Sequence, residues 1–257
     1  MNNADNSEKI VEIDSFSEAK SGDASRPRKG IYLLPNLLTT GALFGGFYAV
    51  LSGFSGSYEL AAIAIFVAMV FDGLDGRVAR MTNTQSDFGV QYDSLSDMVS
   101  FGIAPAIVIY GWGLTGLGKV GIAAAFVYAS CAALRLARFN VQSTLSNSKL
   151  FIGLPSPAAA ALIAGFVWSA HSLDPSIFVS GFTALLTAVA GLLMVSNFKY
   201  PSFKQIDLRG KVPFVVILSI VMAFVVITID PPRILFILSL GYALYAPVRF
   251  VWSKIYP

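Results

Sequence analysis

Four aspartates stand close together in otherwise apolar sequence: Asp72, Asp75, Asp93 and Asp97. The segment runs Asp72-Gly73-Leu74-Asp75-Gly76-Arg77-Val78-Ala79-Arg80, then eight residues, then Gly89-Val90-Gln91-Tyr92-Asp93-Ser94-Leu95-Ser96-Asp97. Spacings of i, i+3 and i, i+4 put each pair on one face of a helix. A turn around Asn83-Thr84-Gln85-Ser86 is expected to join the two helices as an antiparallel hairpin. Asp75 lies about 8 residues, or about 12 Å of helix, before that turn, and Asp93 a similar distance after it. The pairs are therefore expected to meet at matching depth, with Gly76 and Gly89 letting the backbones approach closely.

Carboxylates this close cannot all stay ionised without cations, and a charge at membrane depth is costly. The natural partner is a hard divalent ion with oxygen ligands, Mg2+ or Mn2+. Four aspartates suit two ions, the arrangement that stabilises attacking and leaving oxygens in phosphoryl transfer. Arg77 and Arg80 follow directly and suit a phosphate. A plainer reading, helix-end charges paired for structure, fits one aspartate better than four at these spacings. An EF-hand is excluded, because no loop of alternating acids with a terminal Glu occurs here.

Composition sets the frame for this cluster. Of 257 residues, 55% are hydrophobic and 13% charged, against about 25% charged in a soluble domain. The mean hydropathy is +0.68. These values exclude a typical soluble enzyme, a disordered chain and a nucleic-acid module. Single Cys and His residues (Cys131, His171) exclude a disulfide scaffold and Cys-rich or multi-His metal sites. Metal chemistry must therefore fall to carboxylates. Six of the 15 acids lie in residues 1–23, and five of the other nine lie between Asp72 and Asp97.

The elements that must position the cluster are apolar helices. Residues 1–30 are polar and lack hydrophobic periodicity, which predicts a disordered tail; no signal-peptide pattern opens the chain. Residues 31–257 form one transmembrane domain. Runs of about 20 apolar residues suffice to cross a bilayer. Eight are expected: 36–53, 58–81, 87–112, 118–142, 155–172, 175–196, 212–230 and 233–252. The fold class is an all-α integral membrane protein of about eight transmembrane helices, with a helical-hairpin metal site on the cytoplasmic side. Eight spans put both termini on one side. Fourteen Lys and Arg residues from Arg26 to Lys254 then share that side, against Lys119 and Arg233 on the other. The positive-inside rule makes it cytoplasmic. The expected location is the inner (cytoplasmic) membrane, multi-pass, with both termini and the site facing the cytoplasm.

The pattern DxxDGxxAR, eight residues, GxxxDxxxD is complete here at Asp72, Asp75, Gly76, Ala79, Arg80, Gly89, Asp93 and Asp97. It resembles the signature of the CDP-alcohol phosphatidyltransferase family. Further segments resemble the bacterial phosphatidylserine synthase branch of that family: Leu34-Pro35-Asn36-Leu37-Leu38-Thr39, Ser100-Phe101-Gly102-Ile103-Ala104-Pro105-Ala106, Arg135-Leu136-Ala137-Arg138-Phe139-Asn140, Gly153-Leu154-Pro155-Ser156-Pro157-Ala158 and Tyr200-Pro201-Ser202-Phe203-Lys204. The resemblance covers roughly residues 30 to 205. It implies a membrane enzyme, usually a homodimer, that uses two divalent cations. Its substrates would be CDP-diacylglycerol and L-serine, and its products phosphatidylserine and CMP.

The resemblance also implies residue roles. Asp72, Asp75 and Asp93 would ligate one metal and Asp72, Asp93 and Asp97 the second. Asp97 would also be the general base. Gly76 and Arg80 would contact the CDP phosphates, and Asn36 and Thr39 the nucleotide. Arg135 and Arg138 have two readings of similar weight: a cationic pocket for the serine carboxylate or a lipid phosphate, or positive-inside anchoring. The resemblance tips them toward the pocket, with Ser100 and Lys204 as weaker candidates for it. His171 and Asp174 are expected on the outer surface and Cys131 in helix packing. Gly41, Gly45 and Gly46 are expected to mark a close helix contact. Sibling acceptors, glycerol 3-phosphate or inositol phosphate, call for a denser basic pocket. A divalent-cation transporter and a noncatalytic lipid scaffold complete the alternatives.

Overall fold

The computed structural model describes residues 33–143, 151–200 and 214–255. The acidic tail, Lys204 and the basic residues of the 201–213 segment lie outside them. Among the described residues eight helices follow in order, close to the expected bounds: α1 Leu33–Phe54, α2 Tyr58–Thr82, α3 Asp87–Leu117, α4 Lys119–Ser143, α5 Ser156–Ala170, α6 Ile177–Val195, α7 Phe214–Ile229 and α8 Pro231–Ile255. Five of them, α1, α3, α4, α6 and α8, are long and apolar enough to cross a membrane. Length sets α5 (15 residues) and α7 (16 residues) apart. Charge sets α2 apart, since Glu59, Asp72, Asp75, Arg77 and Arg80 all lie on it. Phe44, Phe47, Phe126, Phe178 and many other large apolar side chains are exposed along the helices, as on a lipid-facing surface. Among the described residues the only departure from an all-α fold is a two-residue pairing, β1 (Phe151–Ile152) with β2 (Lys199–Tyr200).

Small residues set the helix contacts, as they do where apolar packing against lipid gives no advantage. A Cβ placed on Gly45 would stand 3.1 Å from the Ala64 carbonyl oxygen and the Ala68 Cβ of α2. One on Gly46 would stand 2.6 Å from the Ser100 Cα of α3. One on Gly41 would stand 3.1 Å from the Phe71 ring. The expected glycine contact of α1 is thus present, and it determines the architecture: α1 packs against both α2 and α3. Two hydroxyls of α3 reinforce the seam, Ser96 Oγ donating to the Thr39 carbonyl (3.1 Å) and Ser100 Oγ to that of Ala42 (2.9 Å).

The close approach expected through Gly76 and Gly89 is not found. A Cβ on Gly76 would meet only the Arg80 guanidinium, at 3.5 Å, and one on Gly89 would meet Ser86 Oγ and Asn36 Oδ1. The glycine-rich face of α1 takes the place that a direct α2–α3 backbone contact would have filled.

Helix α3 is continuous but changes its winding. Met98–Ile103 and Tyr110–Leu114 are π-helical. Pro105 has no N–H to offer the Phe101 carbonyl one turn earlier. Tyr128 on α4 supplies the missing donor, its hydroxyl lying 3.0 Å from that oxygen. The wide turn begins one residue after Asp97, so the end of the acidic run is fixed against both α1 and α4.

Candidate active site

The turn between α2 and α3 is built by its own residues. Asn83 closes α2 at φ 52°, left-handed backbone that Asn tolerates better than most residues. Ser86 caps α3, its Oγ accepting from the Gly89 N–H at 3.0 Å. Asp87 is the first helical residue, not the cap, and its charge suits the positive end of the helix.

This turn brings the acids of both helices together. Asp72 and Asp75 from α2 and Asp93 from α3 offer oxygens that all lie within 4.8 Å of one another. Oxygens bound to one divalent ion stand no more than about two bond lengths, about 4–5 Å, apart. The trio therefore fits a hard cation by both donor type and spacing. Asp97 is not one of the trio but adjoins it, interacting with Asp72 and Asp93 on one side and the Arg135 guanidinium on the other.

Thr39 and Asp75 are buried together, and the Thr39 hydroxyl donates to Asp75 Oδ2 at 2.7 Å. A ligand held by a second residue keeps its lone pairs aimed. The sequence offered Thr39 as a nucleotide contact; here its single O–H is taken up by Asp75 and the Pro35 carbonyl. Asn36 is half-buried one turn earlier, beside Gly89. Arg80 is exposed and folds back over Gly76, facing Asp75. Arg77 is exposed.

The two arginines of α4 part company. Arg135 is buried, donates from Nη1 to Ser156 Oγ at 2.7 Å and faces Asp97 and Asp72. Its buried Nε has no partner among the described residues. Arg138 instead ties α4 to the end of α6, donating to Asn197 Oδ1 (3.0 Å) and the Val195 carbonyl (3.4 Å). Ser100 is fully buried in the α1–α3 seam, where its hydroxyl donates to the Ala42 carbonyl. Cys131 is buried, and His171 pairs with Glu59 at 3.6 Å.

Residues 32–197 match the CDP-alcohol phosphatidyltransferase family. The chain belongs to the CDP-alcohol phosphatidyltransferase family. Among its relatives, a CDP-diacylglycerol–serine O-phosphatidyltransferase of Helicobacter pylori is 36% identical over 235 residues, 89% of this chain and 95% of the relative. One of the same name from Methanocaldococcus jannaschii is 38% identical over 187 residues, 73% of this chain and 82% of the relative. A solved structure of Mycobacterium tuberculosis phosphatidylinositol phosphate synthase matches at TM-score 0.46 and 20% identity, over 64% of this chain and 84% of that one.

The cluster has three parts: an acidic trio on α2 and α3, a flanking carboxylate at Asp97, and a buried cation at Arg135. Sequence reasoning missed Ser156, which faces Arg135, although it lies in the Gly153–Ala158 segment. It also missed Tyr242 on α8, which faces the same guanidinium and which no local spacing pointed to.

Proposed function

We propose that this protein transfers the phosphatidyl group of CDP-diacylglycerol to the hydroxyl of L-serine, releasing phosphatidylserine and CMP. The observation that carries the reading is the convergence of Asp72, Asp75 and Asp93 within one ion's reach, with Asp97 and Arg135 alongside. Relatives named for this reaction match nearly the whole chain. The serine hydroxyl attacks the phosphorus that carries diacylglycerol, the pyrophosphate P–O bond breaks, and CMP departs with its electrons. Asp97 takes the hydroxyl proton, as a weak nucleophile requires a base within hydrogen-bond reach. Asp72, Asp75 and Asp93 would hold one divalent ion and Asp72, Asp93 and Asp97 a second, Mg2+ or Mn2+, which when bound neutralise the pyrophosphate. Arg80 adds positive charge where the leaving group develops its own. Gly76, with the Arg80 guanidinium folded over it, contacts the phosphates, and Asn36 and Thr39 border the nucleotide. Arg135 receives the serine carboxylate, while Arg138 supports the pocket from behind.

The proposal includes one membrane domain from residue 31 onward and eight crossings. Both termini and the site face the cytoplasm of the inner membrane, which fourteen Lys and Arg against two supports. It also includes the homodimer that the family resemblance implies; native mass spectrometry in detergent measures it. An acceptor panel tests the activity. Purified protein with CDP-diacylglycerol and Mn2+ should release CMP with L-serine and not with glycerol 3-phosphate or inositol phosphate. Release with either phosphate and none with serine would move the chain to a sibling reaction. Manganese flux into liposomes without CMP release would move it to transport.

A further inference from the structure

The family match ends at residue 197, yet the surroundings of Arg135 do not. Helix α8 begins at Pro231 and packs on α5. The contact is close: a Cβ on Gly165 would stand 3.0 Å from the Phe236 backbone. Further along α8, the fully buried Tyr200 donates its hydroxyl to the Ala243 carbonyl at 2.9 Å. The Tyr200 and Tyr242 rings lie 5.5 Å apart. Burial, with the Tyr242 phenol next, pushes the Tyr200 phenol up to about 12, so it stays a neutral donor. Tyr242 is thereby held at a fixed position, half-buried and facing Arg135.

Arg135 brings a planar fork of five N–H donors into a buried place. Ser156 takes one, and the Phe139 ring lies 6.0 Å from the guanidinium carbon. The unpartnered Nε–H lacks an acceptor, and a buried donor left in that state is costly. A carboxylate matches the geometry of a guanidinium fork.

We propose that Tyr242 closes the acceptor pocket from outside the family-matched segment, its phenol and the Arg135 Nε–H together receiving the carboxylate of an amino-acid alcohol. The proposal rests on the serine reading above. Tyr242 acts as a specificity determinant. It favours an acceptor with a carboxylate one carbon from the hydroxymethyl group over an alcohol of the same size without it.

The test uses the full-length protein in detergent, with L-serine and serinol (serine with its carboxylate replaced by hydroxymethyl) as paired acceptors. On the unmutated protein, serinol should be the poorer acceptor. Tyr242→Phe should raise the serine KM about tenfold, as loss of one hydrogen bond to a charged group does. It should leave serinol kcat/KM and the CDP-diacylglycerol KM within about twofold, because neither involves that bond. Tyr242→Ala should lower the preference for serine over serinol further. A merely structural role would lower both acceptors together. An unchanged serine KM in Tyr242→Phe, an equal loss on both acceptors, or serinol matching serine on the unmutated protein each overturns the proposal. If the unmutated protein releases no CMP with serine, the underlying reading fails instead.

Discussion

Helix α2 carries acids at both ends, and the two ends surround them differently. At one end Glu59 stands alone and half-exposed. It accepts from Trp168 Nε1 at 3.4 Å and pairs with His171 at 3.6 Å. His171 is in turn held at 2.7 Å from the Trp168 carbonyl. Every partner comes from α5 or the residue that follows it, so this corner is complete within the protein. At the other end Asp72 and Asp75 meet Asp93 and Asp97. Among the described residues, Arg80 faces Asp75 and Arg135 faces Asp97 and Asp72, with Arg80 largely in water. A corner that closes on itself holds helices together. A corner where carboxylate oxygens converge within 4.8 Å suits the ions proposed above.

That difference is best attacked by removing acids from each corner. Asp97→Asn keeps the shape but removes the base and weakens the second set of metal ligands. CMP release with serine should fall by about 10^2- to 10^4-fold, the usual contribution of a general base, while nucleotide binding survives. Turnover at the unmutated rate would remove that assignment. Asp75→Asn should lower turnover by about 10^2-fold or more, the scale of losing one preorganised electrostatic group, and excess Mn2+ should restore part of it. Thr39→Val is nearly isosteric and removes only the hydroxyl that holds Asp75. The Mn2+ concentration for half-maximal activity should rise about 10-fold or more, as for loss of an outer-shell partner. An unchanged Mn2+ requirement would leave Thr39 with the nucleotide role alone. Glu59→Gln should leave turnover within experimental error and shift stability by less than about 1 kcal/mol, the range of an exposed ion pair. A large loss of activity there would erase the contrast between the corners.

Much of this was legible in the sequence, and for identifiable reasons. Helix bounds follow from the lengths of apolar runs and from turn residues such as Asn83 and Ser86, so all eight lie within a few residues of expectation. The acids were legible because i, i+3 and i, i+4 spacings fix a shared face. Spacing fixes faces and not neighbours, however. It matches the depths of Asp75 and Asp93 but does not reveal that α1 lies against both helices, so the direct contact expected at Gly76 and Gly89 is absent. Arg135 and Arg138 looked alike for the same reason. Three residues apart on α4, they differ only in what other helices bring: Ser156, Tyr242 and the acids to one, Val195 and Asn197 to the other. Tyr242 sits more than a hundred residues from Arg135, with nothing local to mark it.

The claim that the acidic corner is an ion site is tested most directly by counting Mn2+ bound to the purified protein, by electron paramagnetic resonance, with CDP-diacylglycerol present. The account predicts two Mn2+ per unmutated chain, the same count in Glu59→Gln, and loss of both in Asp72→Asn, since Asp72 serves both sets of ligands. An unmutated chain that binds no Mn2+, or an Asp72→Asn variant that binds as many ions as its parent, would contradict it.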